Sequence, residues 1–428
     1  MANISQAAPM LQRESHDAGT TMPLVIITIL FFMWGLITAL NDVLIPHLKA
    51  LYSLSYVQAM LVQFCFFGAY FVVSVPAGML IKRIGYKQGA VAGLMIAAGG
   101  CALFFPASTS GYAIFLLAFF VLASGITILQ VAANPYVAVL GDAKTASSRL
   151  TLTQAFNSLG TTIAPALGGL VILTGGVLNA AEFGKLPVAQ QVMYQAREAS
   201  LVQGPYLALA SALIMLAVLF AFARLPKITH VGTDSNAAVI DSVFAHGHLI
   251  LGAIGIFVYV GGEVSIGSFL INYLGDGNIA NLSSAKAAPY VSFYWGGAMV
   301  GRFIGFAAMR FVKPGNALAF NAACSIFLIL VAIFGHGQVA MWAIILVGLC
   351  NSIMFPTIFS MSLNRLGKLT GQGSGVLCMA IVGGAIVPFV QGFLADMVGL
   401  QWSFFVPAAC YGYILFFGLK YSNMYEER

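Results

Sequence analysis

The stretch from Tyr112 to Val139 reads YAIFLLAFFVLASGITILQVAANPYVAV and contains no Asp, Glu, Lys or Arg. It exceeds the roughly 20 apolar residues that cross a bilayer as a helix, yet carries Gln130, Asn134 and Pro135 towards its end. Lipid offers neither the amides nor the proline-freed carbonyl a partner, so this span is read as a membrane helix that faces other helices. Working outward, similar apolar runs ended by charged, Gly or Pro clusters are expected as helices near 24–46, 58–82, 89–107, 148–175 and 205–224. A second set follows at 247–274, 287–311, 316–335, 338–364, 372–398 and 402–422. Composition agrees: 60% of the 428 residues are hydrophobic and 7% charged, against roughly 45–50% and about 25% in a soluble domain. Too few charges remain to cover a water-facing surface.

The expected fold class is an all-α membrane protein of twelve transmembrane helices in two six-helix bundles. The longest polar interruptions fall at 176–204 and 225–246, and the second divides the chain into halves of six. The expected organisation is a cytoplasmic tail at 1–23, an N-terminal bundle at 24–224, a cytoplasmic linker at 225–246 and a C-terminal bundle at 247–428. Residues 1–22 are polar and lack a small-residue cleavage site, so the first apolar stretch is expected to be retained and not removed as a signal peptide.

Lys and Arg near helix ends stay on the cytoplasmic side. With both termini inside, that side holds fourteen basic residues, among them Lys82, Arg83, Lys87, Lys144, Arg149, Arg310, Lys313, Arg365, Lys368 and Lys420, against four outside, Lys49, Lys185, Arg197 and Lys286. Both termini are expected on the cytoplasmic side of the membrane. The formal charge of +6 comes from singly scattered residues, not the stripe that tracks nucleic-acid phosphates. The six cysteines form no CxxC or Cys/His spacing, so no metal is expected. Neither HExxH, GxSxG nor GxxxxGK[ST] occurs, which points away from an enzyme and from ATP as the energy source. No cofactor is expected.

Ionisable groups at membrane depth cost about 2.5–3.5 kcal/mol each, so each is a functional candidate. Asp42, Glu263, Arg302 and Asp396 qualify, Asp396 lying close enough to an interface to be the least informative. Asp42, beside the orienting amide of Asn41, is the leading site for a coupling ion, because a carboxylate in a low-dielectric interior can load and release a proton. Its alternative role is to cap a helix broken before Pro46. Glu263 lies among Gly261, Gly262 and Gly267 and is a second cation-coupling candidate; alternatively it pairs with Arg302, which is read as a structural charge.

Amides at depth form the other group: Gln63, Gln130, Asn134, Gln154, Asn157, Asn272, Asn321, Asn351 and Gln391. A carboxamide both donates and accepts, as sugar hydroxyls require, and Trp34, Trp295 and Phe355 offer aromatic faces for sugar C–H groups. All but Asn321 and Asn351 are taken with these rings as substrate-binding candidates. Hydrogen bonding between helices is the alternative for each amide. Pro76, Pro135, Pro165, Pro356 and Pro388 interrupt helices, and Asn134-Pro135 and Phe355-Pro356 stand at equivalent places in the two halves. Paired breaks favour a helix that moves. Helices two and eight also end alike, Gly78-Met-Leu-Ile-Lys82-Arg83 and Gly305-Phe-Ala-Ala-Met-Arg310, as tandem repeats do when they enclose a binding site near the midplane.

Several strings together resemble one family. Asn41-Asp42-Val-Leu-Ile-Pro46-His47, Gln63-Phe-Cys-Phe-Phe-Gly68-Ala-Tyr70, Gln130-Val-Ala-Ala-Asn134-Pro135-Tyr136 and Leu152-Thr-Gln154-Ala-Phe-Asn157-Ser-Leu-Gly160 are similar to the fucose:proton symporter family of the major facilitator superfamily. Gly296-Gly-Ala-Met-Val-Gly301-Arg302-Phe-Ile-Gly305 and Asn351-Ser-Ile-Met-Phe-Pro356-Thr-Ile-Phe continue the resemblance, which spans about 24–420 and is strongest to the bacterial glucose/galactose transporter branch.

The resemblance implies a two-bundle sugar carrier working by alternating access, with a small sugar and a co-transported proton, or sodium, as partners in the bilayer. N-acetylglucosamine, mannose and fructose carriers are related alternatives. A monomer is expected. Of the two carboxylates central to fucose carriers, the first maps onto Asp42 and the second onto Gln130, which cannot titrate; Glu263 is then the available second carboxylate. The basic turn after helix two lacks the superfamily's usual acidic residue and has Lys82 near that place, so Lys82, Arg83 and Arg310 are assigned to the cytoplasmic gate. A membrane sugar sensor without transport is the alternative of a different class.

Overall fold

A computed structural model describes residues 23–38, 56–171, 202–223, 245–282 and 284–424, with isolated positions between 186 and 200. Among the described residues there are twelve helical segments and no strand. The first half comprises α1 (Pro23–Thr38), α2 (Tyr56–Ile84), α3 (Tyr86–Ser110), α4 (Tyr112–Val139), α5 (Ala146–Val171) and α6 (Gln203–Phe222). The second comprises α7 (Gly247–Gly275), α8 (Ser284–Ala308), α9 (Pro314–Phe334), α10 (Gly337–Leu363), α11 (Gly367–Val398) and α12 (Leu400–Lys420). Nine of the described helices are long and apolar enough to cross a membrane, and Pro23–Thr38 is a shorter apolar helix.

The sequence expectations are met at α4 to the residue. Elsewhere helices begin slightly early, because polar first turns such as Tyr86-Lys87-Gln88 and Ala146-Ser147-Ser148 are helical although they precede the apolar run. Helix α8 stops at Ala308, short of the expected 311. Pro314 opens α9, where its missing N–H costs nothing, so Met309–Val312 must form the turn.

Packing repeats between the halves. Helix α3 packs on α4 and α6, and α2 on α4; in the second half α9 packs on α10 and α12, and α8 on α10. The two principal contacts between halves, α2 with α11 and α5 with α8, exchange under the same correspondence. Small residues let helices approach closely, as lipid-embedded packing requires: a Cβ on Gly100 would lie 2.4 Å from the Leu122 backbone, and one on Gly125 2.3 Å from that of Ala97. Large apolar side chains such as Phe222, Phe320 and Phe389 are exposed, the pattern of a protein whose solvent is hydrocarbon.

Exposed Lys82, Arg83, Lys144, Arg310, Lys313, Arg365, Lys368 and Lys420 gather at the connectors α2–α3, α4–α5, α8–α9 and α10–α11 and at the end of α12, here termed the basic end. There the halves meet through hydroxyls and bare backbone. Ser147 and Ser360 share a hydrogen bond of 2.6 Å, Ser148 donates to Phe306 O at 2.8 Å, and Ser374 donates to Val131 O at 3.0 Å. Beside them α2 and α11 touch main chain to main chain, since a Cβ on Gly78 would stand 2.8 Å from Gly371 O and one on Gly375 2.7 Å from Ser74 O.

Candidate functional site

Pro356 shapes the centre of the second half. An α-helical N–H bonds the carbonyl four residues earlier, and proline has none to give. Helix α10 accordingly divides into Gly337–Asn351 and Met354–Leu363. The carbonyls around the break are taken from the side: Tyr259 Oη donates to Asn351 O at 3.1 Å, and Arg302 Nε donates to Ser352 O at 3.2 Å.

Asn351 is the hub of this region. Its Nδ2 donates to Tyr294 Oη at 2.8 Å, and its Oδ1 accepts from Tyr411 Oη at 2.6 Å. The single Tyr259 hydroxyl proton is shared between Asn351 O and Glu263 Oε1, the latter at 2.7 Å, and Tyr294 Oη donates to Glu263 O at 3.1 Å. Tyrosines from α7, α8 and α12 therefore converge on one amide and one carboxylate. Tyr259, Tyr294, Tyr411 and Asn351 are all buried, which requires such mutual satisfaction.

Arg302 joins the halves. Besides Ser352 O, its guanidinium donates to the Ser158 hydroxyl of α5. No direct ion pair joins it to Glu263: Glu263 takes its hydrogen bond from Tyr259, and Arg302 gives its own to Ser158 and Ser352. A half-buried guanidinium at membrane depth is costly unless its donors are filled, and carbonyl and hydroxyl oxygens fill two of them here.

The first half places its polar candidates differently. Gln130 Nε2 donates to Tyr70 Oη, an amide-to-tyrosine pair between α4 and α2 that parallels Asn351 and Tyr294 between α10 and α8. Asn157 Nδ2 is committed to Phe31 O at 2.9 Å, holding α5 on α1, where Trp34 is buried 5.2 Å from the Phe31 ring. Gln154 is buried one turn before Ser158. Asn134 is buried with neither Nδ2 nor Oδ1 partnered.

The remaining candidates are dispersed. Gln391 is buried in α11, its Nε2 donating to Ser403 at 3.2 Å and its Oε1 unpartnered. Phe355 lies 6.5 Å from the Tyr259 ring, Trp295 packs on Tyr294 but is 42% exposed, and Asn272 is exposed near the end of α7. Asn321 spends its amide on Ala317 O of its own helix. Lys82, Arg83 and Arg310 are exposed at the basic end, Arg310 lying 4.5 Å over the Phe306 ring. Asn41 and Asp42 lie outside the described residues, as does the side chain of Gln63 on α2. Among the described residues no His, Cys, Asp and Glu group could hold a metal.

Three residues of the hub, Tyr259, Tyr294 and Tyr411, were not among the candidates, nor was Ser158. In an apolar helix a tyrosine looks like any other packing aromatic. The available signal was Asn351 five residues before Pro356, an amide beside a carbonyl that must find an outside donor.

The chain matches the Major Facilitator Superfamily model over residues 26–381. It is 54% identical to a glucose/galactose transporter of Brucella abortus over 96% of this chain and 97% of that one. It is 32% identical to the L-fucose-proton symporter of Escherichia coli over 97% and 98% of the two chains. The crystal structure of FucP, a transporter of this superfamily captured in the outward conformation, superposes with a TM-score of 0.87 over 94% of this chain and 99% of that one, at 32% identity. With its repeated six-helix halves and a polar hub tied across them from Arg302 to Ser158, the chain belongs to the major facilitator superfamily, and it is a multi-pass membrane transporter.

Proposed function

We propose that this protein imports a hexose, with glucose and galactose as the leading substrates, by proton-coupled alternating access and with no covalent step. The observation that carries the proposal is the hydrogen-bonded path from Glu263 through Tyr259 to Asn351 O, and from the adjoining Ser352 O through Arg302 to Ser158. It connects a protonatable group to the contact between halves, which is what coupling a proton to a change of access requires. The names of the relatives support the sugar and the proton. The closed seam at the basic end supports an outward-facing state, the conformation named for FucP.

In this scheme Asp42, assisted by Asn41, loads the proton, and Glu263 is the second carboxylate in place of Gln130. Gln63, Gln130, Asn134, Gln154, Asn157, Trp34, Asn272, Trp295, Phe355 and Gln391 are the residues proposed to meet sugar. Lys82, Arg83 and Arg310 flank the gate. The bundles are assigned to 24–224 and 247–428, joined by a cytoplasmic linker at 225–246 after a tail at 1–23. A monomer in the bacterial inner membrane, with both termini cytoplasmic, completes the assignment.

The test is uptake of labelled hexose into vesicles under an imposed pH gradient. The parent accumulates sugar when the lumen is alkaline, and Asp42→Asn removes accumulation while leaving sugar exchange at equal concentrations. Gradient-driven accumulation by Asp42→Asn at the parental level would overturn the role of Asp42. Replacing sodium by choline at fixed pH leaves uptake unchanged if protons are the coupling ion. Reconstituted liposomes that show no flux would instead favour a sensor.

A further inference from the structure

Pro135 leaves the carbonyl of Val131 without its helical partner, just as Pro356 leaves that of Ser352. Helix α4 does not break there and remains helical from Tyr112 to Val139. Its freed carbonyl accepts a hydrogen bond of 3.0 Å from Ser374 Oγ of α11. The acceptor belongs to the first half and the donor to the second. Among the described residues, these are the two interior helix prolines whose freed carbonyl receives a side-chain donor, and each donor takes part in a contact between halves, Arg302 through its second bond to Ser158.

We propose that Ser374 is a positioning residue for the transport cycle: its hydroxyl latches the second half onto the proline-freed carbonyl of Val131 and so holds the basic end closed. The surroundings fit a latch that must also release. Ser374 is completely buried, so its hydroxyl needs an acceptor. It stands between Gly373 and Gly375 in a segment whose main chain closely approaches that of α2, where the bare Gly78 and Gly375 permit contact. Val131 O is available because Pro135 cannot supply an N–H. With an N–H at position 135 the helix would share that carbonyl internally and leave it a weaker acceptor for Ser374. One neutral hydrogen bond holds the closed state modestly, as suits a contact made and broken in every cycle.

The role presupposes alternating access, but its test needs no sugar. Hydrogen–deuterium exchange is followed on the full-length protein in detergent or nanodiscs, for the parent, Ser374→Ala, Pro135→Ala and the double variant. Ser374→Ala removes the donor. Pro135→Ala leaves Ser374 intact and gives α4 an N–H that competes with it for Val131 O. Each single substitution is expected to raise exchange roughly two- to tenfold in segments 143–152 and 364–378 at the basic end, with exchange in 266–282 at the far end of α7 unchanged or slower. The double variant is expected to match the larger single effect, because both act on the same bond. Parental exchange in Ser374→Ala, or single effects that multiply in the double variant, would overturn the latch. A uniform rise across both ends would show general loosening and overturn it equally. Failure of hexose uptake with the expected exchange pattern would refute the substrate and leave the latch standing.

Discussion

Helices α4 and α10 follow one plan with different outcomes. Each carries a proline, an amide five residues before it, and a tyrosine partner for that amide on the helix preceding by two, Gln130 with Tyr70 and Asn351 with Tyr294. Yet α4 is unbroken, whereas α10 parts after Asn351. The difference lies in the donors at hand. A single serine hydroxyl serves Val131 O, while Tyr259 and Arg302 together serve Asn351 O and Ser352 O. A proline thus sets where a membrane helix can open, and neighbouring helices decide whether it does. The second consequence concerns satisfaction: the amide of Asn351 is bonded at both ends, whereas that of Asn134 is bonded at neither. At these equivalent places the second half holds a prearranged network, and the first leaves the Asn134 amide unspent.

Substitutions should separate the two helices in a graded way. The largest effect is expected at Arg302→Gln, which strands Ser352 O and the contact to Ser158; stability falls by about 3 kcal/mol in thermal unfolding of the solubilised protein, and uptake is lost. Asn351→Ala leaves the hydroxyls of Tyr294 and Tyr411 without their shared partner and costs about 2 kcal/mol by the same measurement. Its counterpart Gln130→Ala loses a single bond and costs about 1 kcal/mol. Equal costs at 351 and 130 would erase the asymmetry between hub and outpost. The smallest change in stability is expected at Asn134→Ala, within about 0.5 kcal/mol of the parent, because no bond is lost there. The KM for sugar should nevertheless rise roughly tenfold, the effect of about 1.4 kcal/mol of binding. An unaltered KM in a stable Asn134→Ala protein would remove this amide from the sugar site.

Much of the scaffold was legible beforehand. Apolar runs placed α4 to the residue and the other helix ends that fall on described residues within about five residues, since hydrocarbon thickness imposes the length of each run. Paired prolines at 135 and 356 were visible, and so was the isolation of Glu263 and Arg302. What the sequence did not convey was partnership. Direct pairing of Glu263 with Arg302 was one expectation, but Tyr259 occupies Glu263 and two oxygens occupy Arg302. Tyr259 and Asn351 are 92 positions apart, beyond any local pattern. Ser374 and Ser158 were unreadable for another reason: a helical serine commonly bonds its own preceding turn, as Ser158 does with Gln154 O at 3.1 Å, so its type says nothing of a second role. Asn157, read as a sugar ligand, has a bond that no local pattern foretold: its Nδ2 donates to Phe31 O and holds α5 against α1.

The contact of Gly78 with Gly371, and of Gly375 with Ser74, has a kinetic meaning. Two surfaces that meet through main chain have no rotamers to withdraw before parting and none to reorder on return. The activation entropy for opening that part of the basic end is correspondingly small, and closure requires no search among side-chain arrangements. A bulky residue at 78 would act as a doorstop, since its Cβ alone would press on Gly371 O at 2.8 Å. Gly78→Leu therefore offers a way to arrest the molecule with its basic end ajar and to capture the opposite half of the cycle.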